Sequence, residues 1–236
     1  IRLIVPGTRS LGMLGLLQYE NKIVEPLNGS DPSLPGELSV NYLTYGAENT
    51  YRKIFNQDDS LITRSVDGTD FVDGWSNRRT RRFGFGPDAL PLNGHIWYPA
   101  ESGSYPLILI VHGNHTALEY SDGGYDYLAE LLASRGYIVA SVDENFLNLS
   151  LYDDRIFLQP LKNDNACRGW LLLEHLSLFD EWNKTEGTPL YQKIDMDNIG
   201  LIGHSRGGEA VAIARLFNDM KSFPDNPNRT FDYHFN

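Results

Sequence analysis

The chain has 236 residues, is 41% hydrophobic and 12% aromatic, and carries 31 acidic against 20 basic side chains, a formal charge of −11. That apolar share is enough to bury a core and excludes a disordered chain, while the acid surplus argues against a nucleic-acid or anionic-membrane partner and favours neutral or cationic small molecules. Cys167 is the only cysteine, which excludes an intrachain disulfide and a cysteine-based zinc cluster; neither a metal nor a cofactor is expected.

Residues 1–36 carry Pro6, Pro26, Pro32 and Pro35 with no sustained period, and are expected to be an N-terminal extension ahead of a domain spanning 37–236. Arg2, Pro6, Gly7 and Arg9 break the apolar opening, so it is no membrane span. No signal peptide is visible, and the sequence opens on Ile1, which fits a processed chain or part of a longer product. Asn-x-Ser/Thr triplets at Asn28, Asn114, Asn148, Asn183 and Asn228 lean the reading towards a secreted or extracytoplasmic protein, although such triplets also arise by chance.

Next, Leu38–Tyr45 alternates apolar and polar residues as a half-buried antiparallel strand does, and Gly94–Tyr98, closed by Pro99, predicts a second strand. Between them, residues 46–84 are polar with a basic patch at Arg78–Arg82. The simplest expectation there is a solvated excursion, with a phosphate or acidic-ligand site as the alternative.

From Pro106 the pattern changes. Leu107–Val111, Tyr137–Val142 and Ile199–Ile202 are continuous apolar runs, the mark of strands buried on both faces of a parallel sheet. Helical stripes lie between and after them, at about 125–134, 164–182 and 209–220, and residues 144–163 form a long loop expected to act as a lid or pocket wall. Alternating strands and helices imply right-handed crossovers, a mostly parallel sheet with helices on both faces, and a cleft at the carboxyl ends of the strands.

Two motifs fall at those ends. Gly203-His204-Ser205-Arg206-Gly207 matches G-x-S-x-G, in which the serine occupies a strained strand-to-helix turn and glycines are needed two residues away on each side. The pattern alone is weak; its position between a buried strand and a helix separates it from a plain Gly-rich turn. His112-Gly113-Asn114-His115 follows the first parallel strand, where acyl-transfer enzymes of this layout take one oxyanion donor, the other being the amide after the nucleophile. That assigns Ser205 as nucleophile and the amides of Asn114 and Arg206 as oxyanion hole. His112 is expected to brace the loop by hydrogen bonding. His115 and His204 are candidate pocket residues.

Pro106–Asn114, Leu128–Ala140 and Gly203–Gly208 together resemble the α/β-hydrolase superfamily, nearest the branch of chlorophyllases, polyester hydrolases and platelet-activating-factor acetylhydrolase-like esterases. The Gly-His-Ser-Arg-Gly-Gly form is similar to that of chlorophyllases, and the likeness covers residues 85–220. It implies the same nucleophile and oxyanion donors, and an Arg206 side chain that either assists the oxyanion or packs on the surface. It also implies a triad in the order Ser, acid, His. Here the sequence departs from the pattern: His234 is the one histidine after Ser205, and Asp219, Asp225 and Asp232 are poorly spaced for the acid.

The expectation is therefore a serine esterase whose acid and histidine lie beyond Asn236, in a missing C-terminal portion of the same protein. Its substrate would be a small-molecule ester. A peptidase or amidase on this fold, or a non-catalytic or truncated relative, are the alternatives.

Overall fold

The computed structural model describes residues 31–150, 161–224 and 226–235. Chain contacts divide it into two units, residues 1–34 and 35–236. Of the first, only 31–34 are described: Asp31 Oδ1 accepts from the amide and hydroxyl of Ser33 in a tight turn. The expectation of an N-terminal extension over 1–36 falls largely outside the described residues.

In the second unit the strands, in chain order, are β1 Val40–Ala47, β2 Leu61–Thr63, β3 Ser65–Val66, β4 Leu90–Pro91, β5 Gly94–Pro99, β6 Tyr105–Val111, β7 Ile138–Val142, β8 Ile194–Gly203, β9 Ser222–Phe223 and β10 Asn226–Thr230. The helices are α1 Asn77–Phe83, α2 Asp126–Ala133, α3 Asp164–Lys184 and α4 Arg206–Asp219. Six strands form the central sheet in the order β2-β1-β5-β7-β6-β8. β6 runs parallel to both β7 and β8, whereas β5 is antiparallel to β1 and β7. The three apolar runs are thus adjacent and parallel, with the antiparallel pair on one side, the arrangement expected from the sequence.

Parallel strands bury both faces, and the side chains divide accordingly. Leu107, Leu109 and Val111 of β6 pack with α3 and α4 in the larger core. Ile110 and Val139 face the other way, against Trp97, Ala129 and Ala133. Close approach of α3 to α4 depends on Gly169, where a Cβ would lie 2.7 Å from Ile213 Cγ2 and 2.9 Å from the Ala210 carbonyl oxygen.

Residues 46–84 are not the solvated excursion that their polarity suggests. They add β2 to the sheet, form α1, and bury Phe55, Phe71, Val72 and Phe83. Within the basic patch Arg78 is exposed while Arg79 is fully buried. Aromatic residues supply the packing of this stretch: Tyr51 meets Phe83, Phe85 and Phe146 edge to face or tilted, and Phe71 stacks on Trp170 at 4.3 Å.

Among the described residues, no helix is long and apolar enough to cross a membrane.

Candidate active site

β8 ends at Gly203 and α4 begins at Arg206, so the chain reverses over two residues. Ser205 takes the strain, at φ 53° and ψ −120°, in the positive-φ region that β-carbon sterics disfavour. Its side chain caps no amide of α4, the residue is exposed, and the hydroxyl stands at the carboxyl edge of the sheet. Two glycines make this turn sterically feasible. A Cβ at Gly203 would lie 2.2 Å from the Gly207 carbonyl oxygen, and one at Gly207 would lie 2.3 Å from the Val111 carbonyl oxygen. Both distances are far inside van der Waals contact.

The loop after β6 reaches the same point. A Cβ on Gly113 would stand 2.9 Å from Ser205 Cβ and 3.0 Å from His204 Nδ1, so backbone and serine can approach this closely only with glycine there. His112 fixes the loop from behind. Its Nε2 accepts the Glu144 amide at 3.1 Å, which leaves the Nδ1–H to donate to the Gly113 carbonyl at 2.8 Å. Burial, helped by the Arg168 charge, lowers the His112 pKa to about 4, so the ring is neutral and both nitrogens are engaged. Asn114 spends its side-chain oxygen on the Leu149 amide at 2.9 Å, and the Ala117 amide donates to the Leu149 carbonyl at 2.8 Å. The loop is therefore laced to residues 144–149.

That second segment, Asp143–Asn148, is in turn held by three buried arginines from distant parts of the sequence. Arg52 meets Asp122 at 2.6 Å and Asp143 at 3.3 Å. Arg79 donates to the carbonyls of Phe146 and Asn148. Arg168 donates to Glu144 Oε2 at 3.3 Å and to Asn148 Oδ1 at 2.8 Å. Burial outweighs the Arg168 charge and pushes Glu144 up to about 8, so this carboxyl holds its proton at neutral pH. Sequence reasoning missed Arg52, Arg79 and Arg168. The only available signal was the density of Asn and Asp after β7, since a buried run of polar residues needs buried partners.

Arg206 and Asn114 both line a small concavity of about 40 Å³, with Leu147, Leu149 and Leu161 as its apolar part and Arg79 and Asp164 among the rest. The loop after β7 thus contributes to a pocket wall through residues 147–149; its part at 151–160 lies outside the described residues. The Arg206 side chain, expected either to assist the oxyanion or to pack on the surface, instead forms an ion pair with Asp164 at 2.6 Å. His204, next to Ser205 in the chain, and His115 are both exposed, with near-parallel rings 6.5 Å apart.

The other histidines lie elsewhere. His234 pairs with Asp197 at 3.2 Å, towards the opposite end of β8 from Ser205. His95 is bound between Tyr42 and Asp122, and His175 is buried against the Tyr45 hydroxyl with its pKa lowered to about 3 by desolvation. Among the described residues no histidine hydrogen-bonded to a carboxylate stands behind Ser205, and no three His, Cys, Asp or Glu side chains gather as a metal site requires.

A mostly parallel sheet with a helix pair on one face and α2 on the other, antiparallel strands on its N-terminal side and this turn at the carboxyl edge define an α/β-hydrolase. The chlorophyllase family model matches residues 86–222, more than half of the sequence, and the chain belongs to that family. Membership makes it a hydrolase of the esterase-like kind. No curated protein matches the chain.

Proposed function

We propose that the protein hydrolyses carboxylic esters through an acyl-enzyme on Ser205. The observation that carries this reading is the turn itself: a serine at φ 53°, with its hydroxyl unused by α4 and the Gly113 backbone directly against it. Strain of this kind costs about 1–3 kcal/mol and persists where the surroundings over-determine it. Here Gly203, Gly207 and Gly113 remove the side chains that would otherwise forbid it.

In the reaction the Ser205 Oγ attacks the ester carbonyl and its proton passes to a base. The carbonyl oxygen becomes an oxyanion, which the amides of Arg206 and Asn114 stabilise. Collapse expels the alcohol, protonated by the same base; water then attacks the acyl-enzyme and releases the acid. The lacing of residues 112–117 to 144–149 keeps the Asn114 amide fixed while charge develops, so that little reorganisation accompanies the chemistry. The family order of Ser, acid and His calls for a carboxylate and then a histidine after Ser205 in the chain, the histidine acting as this base.

The test uses the product of the complete reading frame and its Ser205→Ala variant, with p-nitrophenyl acetate and the matching p-nitroanilide as substrates. The expected result is ester turnover that disappears in the variant. Ester turnover that survives Ser205→Ala overturns the mechanism, and anilide turnover exceeding ester turnover assigns an amidase instead.

A further inference from the structure

A second concavity lies far from Ser205 along the fold, at the antiparallel side of the sheet. Tyr42 of β1 and Trp97 of β5 are directly paired across the strands, so their side chains share one face, and their rings meet at 5.2 Å with a 48° tilt. His95, two residues before Trp97, completes the patch, 6.0 Å from Tyr42 and 5.7 Å from Trp97. Facing these rings are Gly123 and the helix α2 residues Asp126 and Glu130, and together the six line an open concavity of about 360 Å³.

Three features of this place belong together. The floor is aromatic and held in position. His95 Nε2 is hydrogen-bonded to the buried Asp122 carboxylate at 2.7 Å and its Nδ1 to the Tyr42 hydroxyl at 2.8 Å, so an exposed tyrosine is anchored through a buried chain of hydrogen bonds. Desolvation and the charges of Asp122 and Asp59 raise the Tyr42 pKa, which keeps the phenol neutral and makes it a ring to bind against.

The wall is acidic. Asp126 and Glu130 stand four residues apart on one helix face, a like-charge spacing that weakens a helix, and among the described residues neither is in an ion pair. Arg52, the cation bound to Asp122 beside them in sequence, is committed between Asp122 and Asp143.

The aromatic faces carry negative quadrupole potential and the carboxylates add full negative charge to the same volume. A neutral sugar would gain the stacking but would leave both carboxylates without a countercharge. An anion is repelled. An ammonium ion with alkyl substituents satisfies both, placing its polarised methyl or methylene groups on the exposed ring of Tyr42, which is backed by the buried Trp97 and His95, and its charge towards Asp126 and Glu130.

We propose that the concavity between Tyr42, His95 and Trp97 on the sheet and Asp126 and Glu130 on α2 is a binding site for a small alkylated ammonium ion. It is independent of the Ser205 chemistry and does not depend on the esterase reading. The probe is choline chloride, titrated into the protein by calorimetry with the Trp fluorescence followed in parallel, against the uncharged isostere 3,3-dimethylbutan-1-ol.

Saturable choline binding is expected, with the isostere weaker by about fivefold or more. The double variant Asp126→Asn/Glu130→Gln, on an exposed helix face that tolerates it, should weaken choline by a similar factor while leaving the unfolding temperature unchanged. Tyr42→Leu should weaken both probes. Equal affinity for choline and the isostere, choline binding untouched by the double variant, preferential binding of methyl glucoside, or no saturation by choline at tens of millimolar would each overturn the proposal.

Discussion

The parallel half of the sheet and the stretch from Glu48 to Asn93 carry their charges in opposite ways. From β6 to α4 the strands are apolar, the exposed polar residues sit at strand ends, and of the described non-glycine residues at positive φ there, Asn163, Gln192 and Ser205, it is Ser205 that joins a sheet strand to a helix. In the earlier stretch the sequence is polar and basic, yet Arg52 and Arg79 are buried and grip carboxylates and carbonyls of the loop after β7. The first region builds the turn. The second, with Arg168, braces the loop against which the His112–Asn114 segment is laced. A site of this kind therefore depends on residues whose sequence resembles solvated surface.

The largest expected effect that tests this contrast is on the turn. Replacing Ser205 with Ala should lower ester turnover by about 10⁴- to 10⁶-fold in the complete protein with little change in unfolding temperature. Steady-state kinetics on p-nitrophenyl acetate checks it.

Gly207→Ala should disturb both fold and activity, because the new methyl would meet the Val111 carbonyl oxygen at 2.3 Å and the His112 carbonyl oxygen at 2.8 Å. A loss of about 3 kcal/mol in urea unfolding is expected. The sharpest comparison within the basic patch is Arg79→Met against Arg78→Ala. The first removes buried donors from two loop carbonyls and should cost about 3 kcal/mol. The second changes an exposed side chain and should stay within about 0.5 kcal/mol. Equal effects would erase the distinction between the two regions.

The smallest effect concerns pH. Glu144 has its folded pKa raised to about 8 from an ordinary 4.5, so its contribution to stability is present below pH 4.5 and is lost as pH rises towards 8. His112, lowered from 6.5 to about 4, has the opposite sign: its contribution is full above pH 6.5 and is lost as pH falls to 4. Glu144→Gln should therefore flatten the decline between pH 5 and 8 and leave the acid limb in place. Denaturant melts across that range measure both limbs.

Much of the fold was legible because buried parallel strands announce themselves as unbroken apolar runs. Leu107–Val111 and Ile199–Ile202 were found within a few residues of their observed limits. The position of Ser205 was legible for a related reason: glycines at 203 and 207 are a steric signature that does not depend on distant partners. Residues 46–84 were not, since pattern reasoning takes arginines and aspartates as exposed, and the burial of Arg79 is decided by carbonyls nearly seventy positions away. The same holds for His95, whose partners Tyr42 and Asp122 come together only once β1, β5 and the turn before α2 are assembled.

The central claim is that Ser205 is the nucleophile, and a fluorophosphonate reports on it most directly. The complete protein, treated with the reagent and digested, should carry a single phosphonyl group on the peptide containing Gly203–Gly208, and Ser205→Ala should carry none. Labelling that persists in Ser205→Ala, or maps to another residue, would contradict the account.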